Sequence, residues 1–272
     1  PTATRLLKET GSGHVVAVFP AVFYVRLNGS VLCVASQAVE PGPLTLVTNA
    51  SEAMRWARTG VEVGRNVFFA NNIARILDLR LDLNKVTLWQ PPAPRGVTAR
   101  TIAQGLDRMR RAALQLPETM PGHWDPDTFR DAHIWVAGQI AGTHTDPALW
   151  ARKLVGRGPG LTPSGDDFLA GAMIALHALN RTDTARQIWA AIADTARQAT
   201  NEISHAFLAS AADGYGSAGL HRALNALFEG GRNLAPALAD IDRIGHSSGW
   251  DALAGINLVG SAVVKALDIQ AA

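Results

Sequence analysis

The stretch "WQPPAPRG" (residues 89–96) divides the 272-residue chain into two parts with different patterns. Its three prolines lack a backbone N–H donor and interrupt regular structure, so the stretch is typical of a linker. The chain is long enough for one large domain or two smaller ones, each with its own hydrophobic core. We therefore predict one domain over residues 1–95 and a second over residues 96–272.

Before the linker, the sequence predicts β-structure. The runs "HVVAVF" (14–19), "AVFYVRL" (21–27) and "VLCVAS" (31–36) are short and rich in β-branched and aromatic residues, and Asn28-Gly29 between two of them predicts a hairpin. The segment "ILDLRLDL" (76–83) alternates leucines with charged residues, which predicts one half-buried strand. Several short strands separated by turn residues favour a small barrel or sandwich.

After the linker, the pattern becomes helical. In "ARTIAQGLDRMRRAALQL" (99–116), apolar residues recur at helical spacing. Further helices are predicted at residues 126–153, 166–180, 183–199, 201–212, 217–229 and 250–268. The predicted fold class is therefore α+β, with a small strand-rich N-terminal barrel or sandwich followed by a larger all-helical domain.

The charge balance argues against a nucleic-acid partner. The formal net charge is only +2, although the arginines of residues 95–111 are numerous. Because no aromatic residues are interleaved with these arginines, we interpret them as the solvated face of a helix.

The apolar pattern and the single cysteine predict a soluble cytoplasmic protein. No apolar stretch approaches the length of a membrane span, and the first residues lack the apolar core of a signal peptide. Cys33 is the only cysteine, which excludes intrachain disulfides and cysteine-based metal sites, and its apolar neighbours predict a buried, inert thiol.

The most unusual segment of the helical part is "GRGPGLTPSGDDFLAG" (156–171). Its glycines and prolines predict a turn that opens a helix, with Ser164 or Asp166 as the N-cap. Backbone N–H groups at such a helix start form a ready anion site. The candidate anion-binding residues are Arg157, Gly158, Gly160, Thr162, Ser164 and Gly165.

Asp166 and Asp167 are adjacent carboxylates at this helix start. They point roughly 100° apart on a helix, so we expect different tasks for them. Two interpretations stand level: both stabilise the positive helix end, or one caps the helix while the other holds a metal ion or a substrate amide. For the metal interpretation, Asp166 and Asp167 are the candidate ligands and Mg²⁺ the candidate cofactor.

A second segment repeats this pattern. Ser-Gly-x-Asp-x-Leu-Ala-Gly occurs at residues 164–171 and again at residues 248–255. We expect two helix starts that converge on one cleft, with Asp167 and Asp251 in equivalent places; the alternative is an old helical repeat without function at its start. His246, just before the second copy, is a candidate anion donor or proton carrier.

With both motifs in hand, the sequence resembles a bacterial family that was first classified as a domain of unknown function and is associated with anaerobic allantoin breakdown. That family includes AllH, a subunit of oxamate carbamoyltransferase, which works with two other protein subunits. The resemblance covers the helical part well and the strand-rich part only in general character. It implies transfer of a carbamoyl group between phosphate and the amide nitrogen of oxamate, or a related small amide, by this chain within a complex or as a homo-oligomer.

The resemblance also suggests roles for the candidate residues. Asp167, His246 and Asp251 are the expected catalytic residues, with Asp167 or His246 as general acid or base. Arg157 and the glycine turn would bind carbamoyl phosphate, and Ser247, Ser248 and Gly249 would hold the acceptor carboxylate. Two alternatives remain open: a Mg²⁺-dependent hydrolase or ligase acting on an amide or phosphate, and a non-catalytic subunit that binds a small anion.

Overall fold

A computed structural model describes residues 10–113, 126–143, 146 and 148–271. The chain divides into two compact units, residues 1–90 and 91–272. The first contains strands and the second contains helices, which confirms the predicted α+β class. Within the described ranges, no helix is both long enough and apolar enough to cross a membrane.

The first unit is built on a single curled sheet. Its strands are β1 (Gly11–Val18), β2 (Val22–Leu27), β3 (Ser30–Ala35), β4 (Thr45–Val47), β5 (Asn66–Ala70), β6 (Ile73–Ile76) and β7 (Leu79–Asp82). The spatial order is β4-β3-β2-β1-β5-β6-β7, and only the β3–β4 pair is parallel among these strands. A short 3₁₀ helix (Trp56–Thr59) packs its buried Trp56 edge-to-face on Phe23 of β2.

The structure confirms one predicted hairpin and corrects another segment. Asn28 and Gly29 both have positive φ, and Leu27 of β2 faces Ser30 of β3, so this pair forms the tight turn that its sequence predicts. The single strand predicted over residues 76–83 is wrong. The chain turns at Leu77, which has φ +51°, and Ile76 of β6 pairs with Leu79 of β7.

The lone thiol is buried, as predicted. Cys33 is buried in β3. Burial raises the pKa of its thiol to about 12, and hydrogen bonding with Tyr24 and Thr45 opposes this only in part. At neutral pH the nucleophilic thiolate is therefore essentially absent.

The described part of the second unit contains nine α-helices. They are α1 (Ala99–Ala113), α2 (Pro126–Ala141), α3 (Ala148–Leu154), α4 (Ser164–Ala178), α5 (Thr182–Ala199), α6 (Glu202–Ala212), α7 (Ala218–Phe228), α8 (Leu234–Ile241) and α9 (Ser248–Ala271). The predicted residues 114–116 of the first helix lie outside the described residues.

Two helix predictions need correction. The single helix predicted over residues 126–153 is wrong, because α2 ends before Gly142, which has φ +86°. Helix α8 was not predicted from the sequence, and it contains a proline, Pro236. This proline stands in the first turn, where its missing N–H would have no helical partner in any case.

Helices α4 and α9 form the centre of this unit, and two glycines let them touch. A Cβ on Gly171 of α4 would lie 1.8 Å from the Ala252 carbonyl oxygen, and a Cβ on Gly255 of α9 would lie 2.1 Å from the Phe168 carbonyl oxygen. These glycines are the last residues of the two repeated motifs. The repeat therefore fixes a close backbone contact between the helices that begin at the two motifs.

We expect Gly171→Ala to lower the free energy of unfolding of the helical unit by about 2–3 kcal/mol, because the new methyl group meets rigid backbone and forces the helices apart. The measurement is chemical denaturation followed by circular dichroism at the helix band. Gly260→Ala on α9 is the control, since its Cβ meets side-chain atoms of Phe228 and Ile102 at 3.2 and 3.3 Å that can shift. Equal losses for the two variants would contradict the prediction.

Candidate functional site

The two repeated motifs come together at the starts of α4 and α9. The Thr162 Oγ1 atom, just before α4, lies 2.8 Å from the Ser248 Oγ atom at the first residue of α9. Because the two helices also touch at Gly171 and Gly255, the repeated segments run side by side from their first residues. The structure thus brings the predicted pair of helix starts into direct contact.

The turn before α4 is a compact glycine-dependent structure. Gly156, Gly158 and Gly160 all have positive φ, a conformation that other residues adopt at a cost. The Gly165 N–H donates to the Arg157 carbonyl oxygen at 2.8 Å and closes the turn. A Cβ on Gly158 would lie 2.7 Å from the Ser164 backbone nitrogen, so the chain folds back tightly on the helix start.

Neither predicted N-cap of α4 is correct. The residue at the cap position is Pro163, and no side chain caps the helix. The Pro163 carbonyl oxygen instead accepts the N–H groups of Asp166 and Asp167 at 2.9 and 3.0 Å. Both aspartate side chains are therefore available for other tasks.

Asp166 is buried and anchors the turn. Its Oδ1 atom accepts the Gly156 N–H at 2.7 Å, and its Oδ2 atom accepts the hydroxyls of Thr200 and of Ser204, the latter at 2.6 Å. The carboxylate thus joins the first residue of the turn to the start of α6. With three donors on its two oxygens, Asp166 positions the turn.

Asn201 makes a second connection between the same two segments. Its side-chain oxygen accepts the N–H groups of Ile203 and Ser204 and so caps α6, while its amide nitrogen donates to the Leu161 carbonyl oxygen at 2.7 Å. In the sequence, Asn201 and Ser204 are typical of helix capping alone. Their contacts with the turn were not predicted, because the sequence does not indicate which distant loop a capping residue contacts.

Asp167 lies where the two helix starts meet. Its carboxyl has a raised pKa, chiefly because burial disfavours the charge and further because Asp251 and Asp166 are nearby; hydrogen bonding with the hydroxyls of Ser248 and Thr162 opposes the rise. The Oδ2 atom is buried and has no hydrogen-bond partner among the described residues. Asp167 is therefore a carboxyl that retains its proton to higher pH than an ordinary aspartate.

Asp251, the counterpart of Asp167 in the second motif, is completely buried. It lies close enough to Asp167 to raise the pKa of that carboxyl. Two carboxyl groups near each other in a poorly solvated place resist holding two negative charges at once.

Unused donors surround the turn. The Arg157 side chain is exposed and contacts no partner among the described residues. Within the same described set, the backbone N–H groups of Gly158, Gly160, Leu161, Thr162 and Ser164 donate to no acceptor. A turn that carries an exposed arginine and several N–H groups without a described acceptor, at a helix start, is suited to bind a small anion.

The remaining predicted residues lie at the start of α9. His246 and Ser247 are exposed in the turn before this helix. Gly249 is buried, and its N–H donates to the Ile244 carbonyl oxygen at 3.0 Å, so this group is already used. A Cβ on Gly249 would lie 2.3 Å from the Ile241 carbonyl oxygen, which gives this glycine a packing role.

Among the residues that the structure describes, no group of three or more His, Cys, Asp or Glu side chains has an arrangement that could hold a metal ion.

Comparison with known proteins places these features in a family context. A family model described as oxamate carbamoyltransferase subunit AllH matches residues 154–260, a range that contains both repeated motifs. A second model, described as the AllH family N-terminal domain, matches residues 2–88. Together the two models cover most of the chain. No solved structure matches it.

Proposed function

This chain belongs to the AllH family, and from this membership and the site geometry we propose that it is the carbamoyl-transferring subunit of an oxamate carbamoyltransferase. The proposed substrates are carbamoyl phosphate and oxamate, or a related small amide. In the reaction, a C–N bond forms between the carbamoyl carbon and the amide nitrogen, and the C–O bond to phosphate breaks. In the reverse reaction, phosphate attacks the carbamoyl carbon of oxalurate and the C–N bond breaks.

The turn from Arg157 to Ser164 is the proposed phosphate site. Carbamoyl phosphate is a dianion, and the unused N–H groups of this turn stand at the positive end of α4. The Arg157 guanidinium has no competing carboxylate among the described residues. Backbone donors fixed by Asp166 and Asn201 need no rearrangement when negative charge develops on the carbamoyl oxygen, which favours the transition state.

Asp167 is the proposed proton carrier, and the observation that carries the proposal is its place between the two helix starts, with a buried Oδ2 atom that has no described hydrogen-bond partner. An amide nitrogen is a weak nucleophile and must lose a proton as its bond to the carbamoyl carbon forms. A carboxylate with a raised pKa is a stronger base than an ordinary aspartate, so Asp167 is suited to take that proton. In the reverse direction its acid form returns a proton to the leaving amide nitrogen.

The start of α9 is the proposed site for the acceptor carboxylate. Ser247 and His246 are exposed there, next to Ser248, whose hydroxyl contacts Thr162. The backbone N–H groups of His246, Ser247 and Ser248 donate to no described acceptor, which suits a small carboxylate. The two anionic substrates would then occupy neighbouring helix starts, with Asp167 at their junction.

The proposal is tested by calorimetric titration of the chain with carbamoyl phosphate, with and without Mg²⁺. We expect Arg157→Gln to weaken binding about tenfold or more, since a charge-assisted hydrogen bond contributes about 1.5–3 kcal/mol. Arg181→Gln is the matched control: it removes the same charge from an exposed position beyond the far end of α4, a helix about 22 Å long. Equal weakening by both variants would overturn the phosphate site.

Two alternatives give different results in the same experiment. Binding that requires Mg²⁺ would favour a metal-dependent hydrolase or ligase. If the chain is a non-catalytic anion-binding subunit, Arg157→Gln still weakens binding. In that case no change at Asp167 alters the turnover of the assembled enzyme at saturating carbamoyl phosphate. The family description as a subunit makes the assembled enzyme the sample for turnover measurements.

A further inference from the structure

A second cavity in the helical unit has the character of an anion site. It has a volume of about 350 Å³ and lies between α1 and the turn that follows α7. Its charged lining consists of three arginines, Arg108, Arg111 and Arg232, and two acids, Asp107 and Glu229. The sequence pattern predicted a solvated helix face for the arginines of α1, but Arg232 lines the same cavity from another segment.

The walls of this cavity are held in place by glycine contacts. A Cβ on Gly105 of α1 would lie 1.8 Å from the Leu227 carbonyl oxygen, so α1 and α7 are in close contact. After α7, Gly230 and Gly231 have φ values of +95° and +75° and turn the chain back towards α1. A Cβ on Gly231 would lie 3.0 Å from the Cδ atom of Arg108, which means that the stem of this arginine packs directly on the glycine.

The acids of the lining are engaged, whereas two of the arginines are not. Asp107 forms ion pairs with Arg111 at 2.5 Å and with Arg110 at 3.7 Å, and Glu229 accepts the Arg95 backbone N–H at 2.7 Å. Neither Arg108 nor Arg232 has a hydrogen bond or an ion pair with any described residue. Two arginines without a partner among the described residues therefore line the same cavity from two segments of the chain.

We infer that this cavity binds the dianionic phosphoryl group of a small molecule, at a site separate from the turn before α4. Arginine forms paired hydrogen bonds with phosphate oxygens, and a phosphoryl group offers enough oxygens to engage guanidinium groups from two sides. The volume lies at the lower end of the range for small-molecule sites. No residue is shared with the proposed carbamoyl phosphate site, so either proposal can fail alone.

The test is calorimetric titration with inorganic phosphate and with ribose 5-phosphate at constant ionic strength, in an Arg157→Gln background that weakens the other site. The double variant Arg108→Gln/Arg232→Gln is expected to weaken binding by a hundredfold or more, about tenfold for each arginine removed. Tighter binding of ribose 5-phosphate than of inorganic phosphate would identify a phosphate ester as the ligand, and equal affinity would identify the free ion.

Arg100→Gln is the control, because Arg100 is an exposed arginine of α1 that does not line the cavity. The inference is supported if Arg100→Gln leaves the affinity unchanged while the double variant loses binding. It is overturned if Arg108→Gln/Arg232→Gln binds phosphate as tightly as the chain that keeps both arginines. It is also overturned if the double variant Arg100→Gln/Arg110→Gln loses as much affinity, because the loss would then reflect general charge alone.

Discussion

Replacing Asp167 by asparagine is expected to lower the turnover of the proposed carbamoyltransferase, assayed as the assembled enzyme, by about 10²- to 10⁴-fold, the usual contribution of a general acid or base. Asparagine has nearly the same size and still hydrogen-bonds with the hydroxyls of Ser248 and Thr162, so the site should keep its shape. What is lost is the ability to take up and release a proton. The measurement is the rate of oxalurate formation or phosphorolysis at saturating substrate.

The stability of the Asp167→Asn variant provides a separate readout. Burial and neighbouring Asp251 raise the pKa of Asp167 in the folded chain, so the folded state binds more protons than the unfolded state between the ordinary value of 3.8 and that raised pKa. Stability therefore falls as the pH rises through this window, and the loss is complete above the folded-state pKa. We expect the variant to lack this component and to unfold at a higher denaturant concentration than wild type near neutral pH.

Higher stability together with lost turnover would mark Asp167 as a residue kept for function at a structural cost. Ser204→Ala is the useful comparison, because it removes a hydroxyl that supports Asp166 and should reduce stability and leave most of the turnover. An Asp167→Asn enzyme with full turnover would remove Asp167 from the mechanism. A variant that lost both stability and turnover would instead make Asp167 a structural residue.

The sequence predicted those parts of the fold and site that depend on local patterns. Asn28-Gly29 between two apolar runs is typical of a two-residue hairpin turn, and the structure has that hairpin. The repeated Ser-Gly-x-Asp-x-Leu-Ala-Gly motif predicted two similar helix starts. The contact between Thr162 and Ser248 spans 86 positions, and the repeat alone suggested that such distant segments would meet.

Other features depend on tertiary packing and left no local signal. Leu77 adopts a positive φ because Ile76 and Leu79 pair across a two-residue turn, whereas its leucine pattern predicted a continuous strand. Two of the three donors to Asp166, the hydroxyls of Thr200 and Ser204, come from positions 34 and 38 residues further along the chain, so the local sequence does not distinguish Asp166 from a helix cap. For the same reason, Arg232 could not be assigned to the cavity on α1 from sequence.

Asp166 gives the second large expected effect, on stability and not on chemistry. Asp166→Ala removes the acceptor from three donors at once, the Gly156 N–H and the hydroxyls of Thr200 and Ser204. An unsatisfied buried donor costs about 1–3 kcal/mol, and the two hydroxyls can rotate towards other acceptors, so we expect the free energy of unfolding to fall by about 3–4 kcal/mol. Chemical denaturation followed at the helix band measures this loss.

The matched control is Asp183→Ala, the same substitution in the first turn of α5. Asp183 is exposed and meets Arg186 at 3.5 Å, an interaction that contributes about 1 kcal/mol or less. Equal losses for the two variants would mean that Asp166 acts only as a negative charge at a helix start.

Asp166→Ala should also weaken carbamoyl phosphate binding, measured under conditions where the variant is fully folded. Without its anchor at Gly156, the turn no longer holds its N–H groups in one arrangement. Anchor and anion site are then coupled through a residue that never touches the ligand.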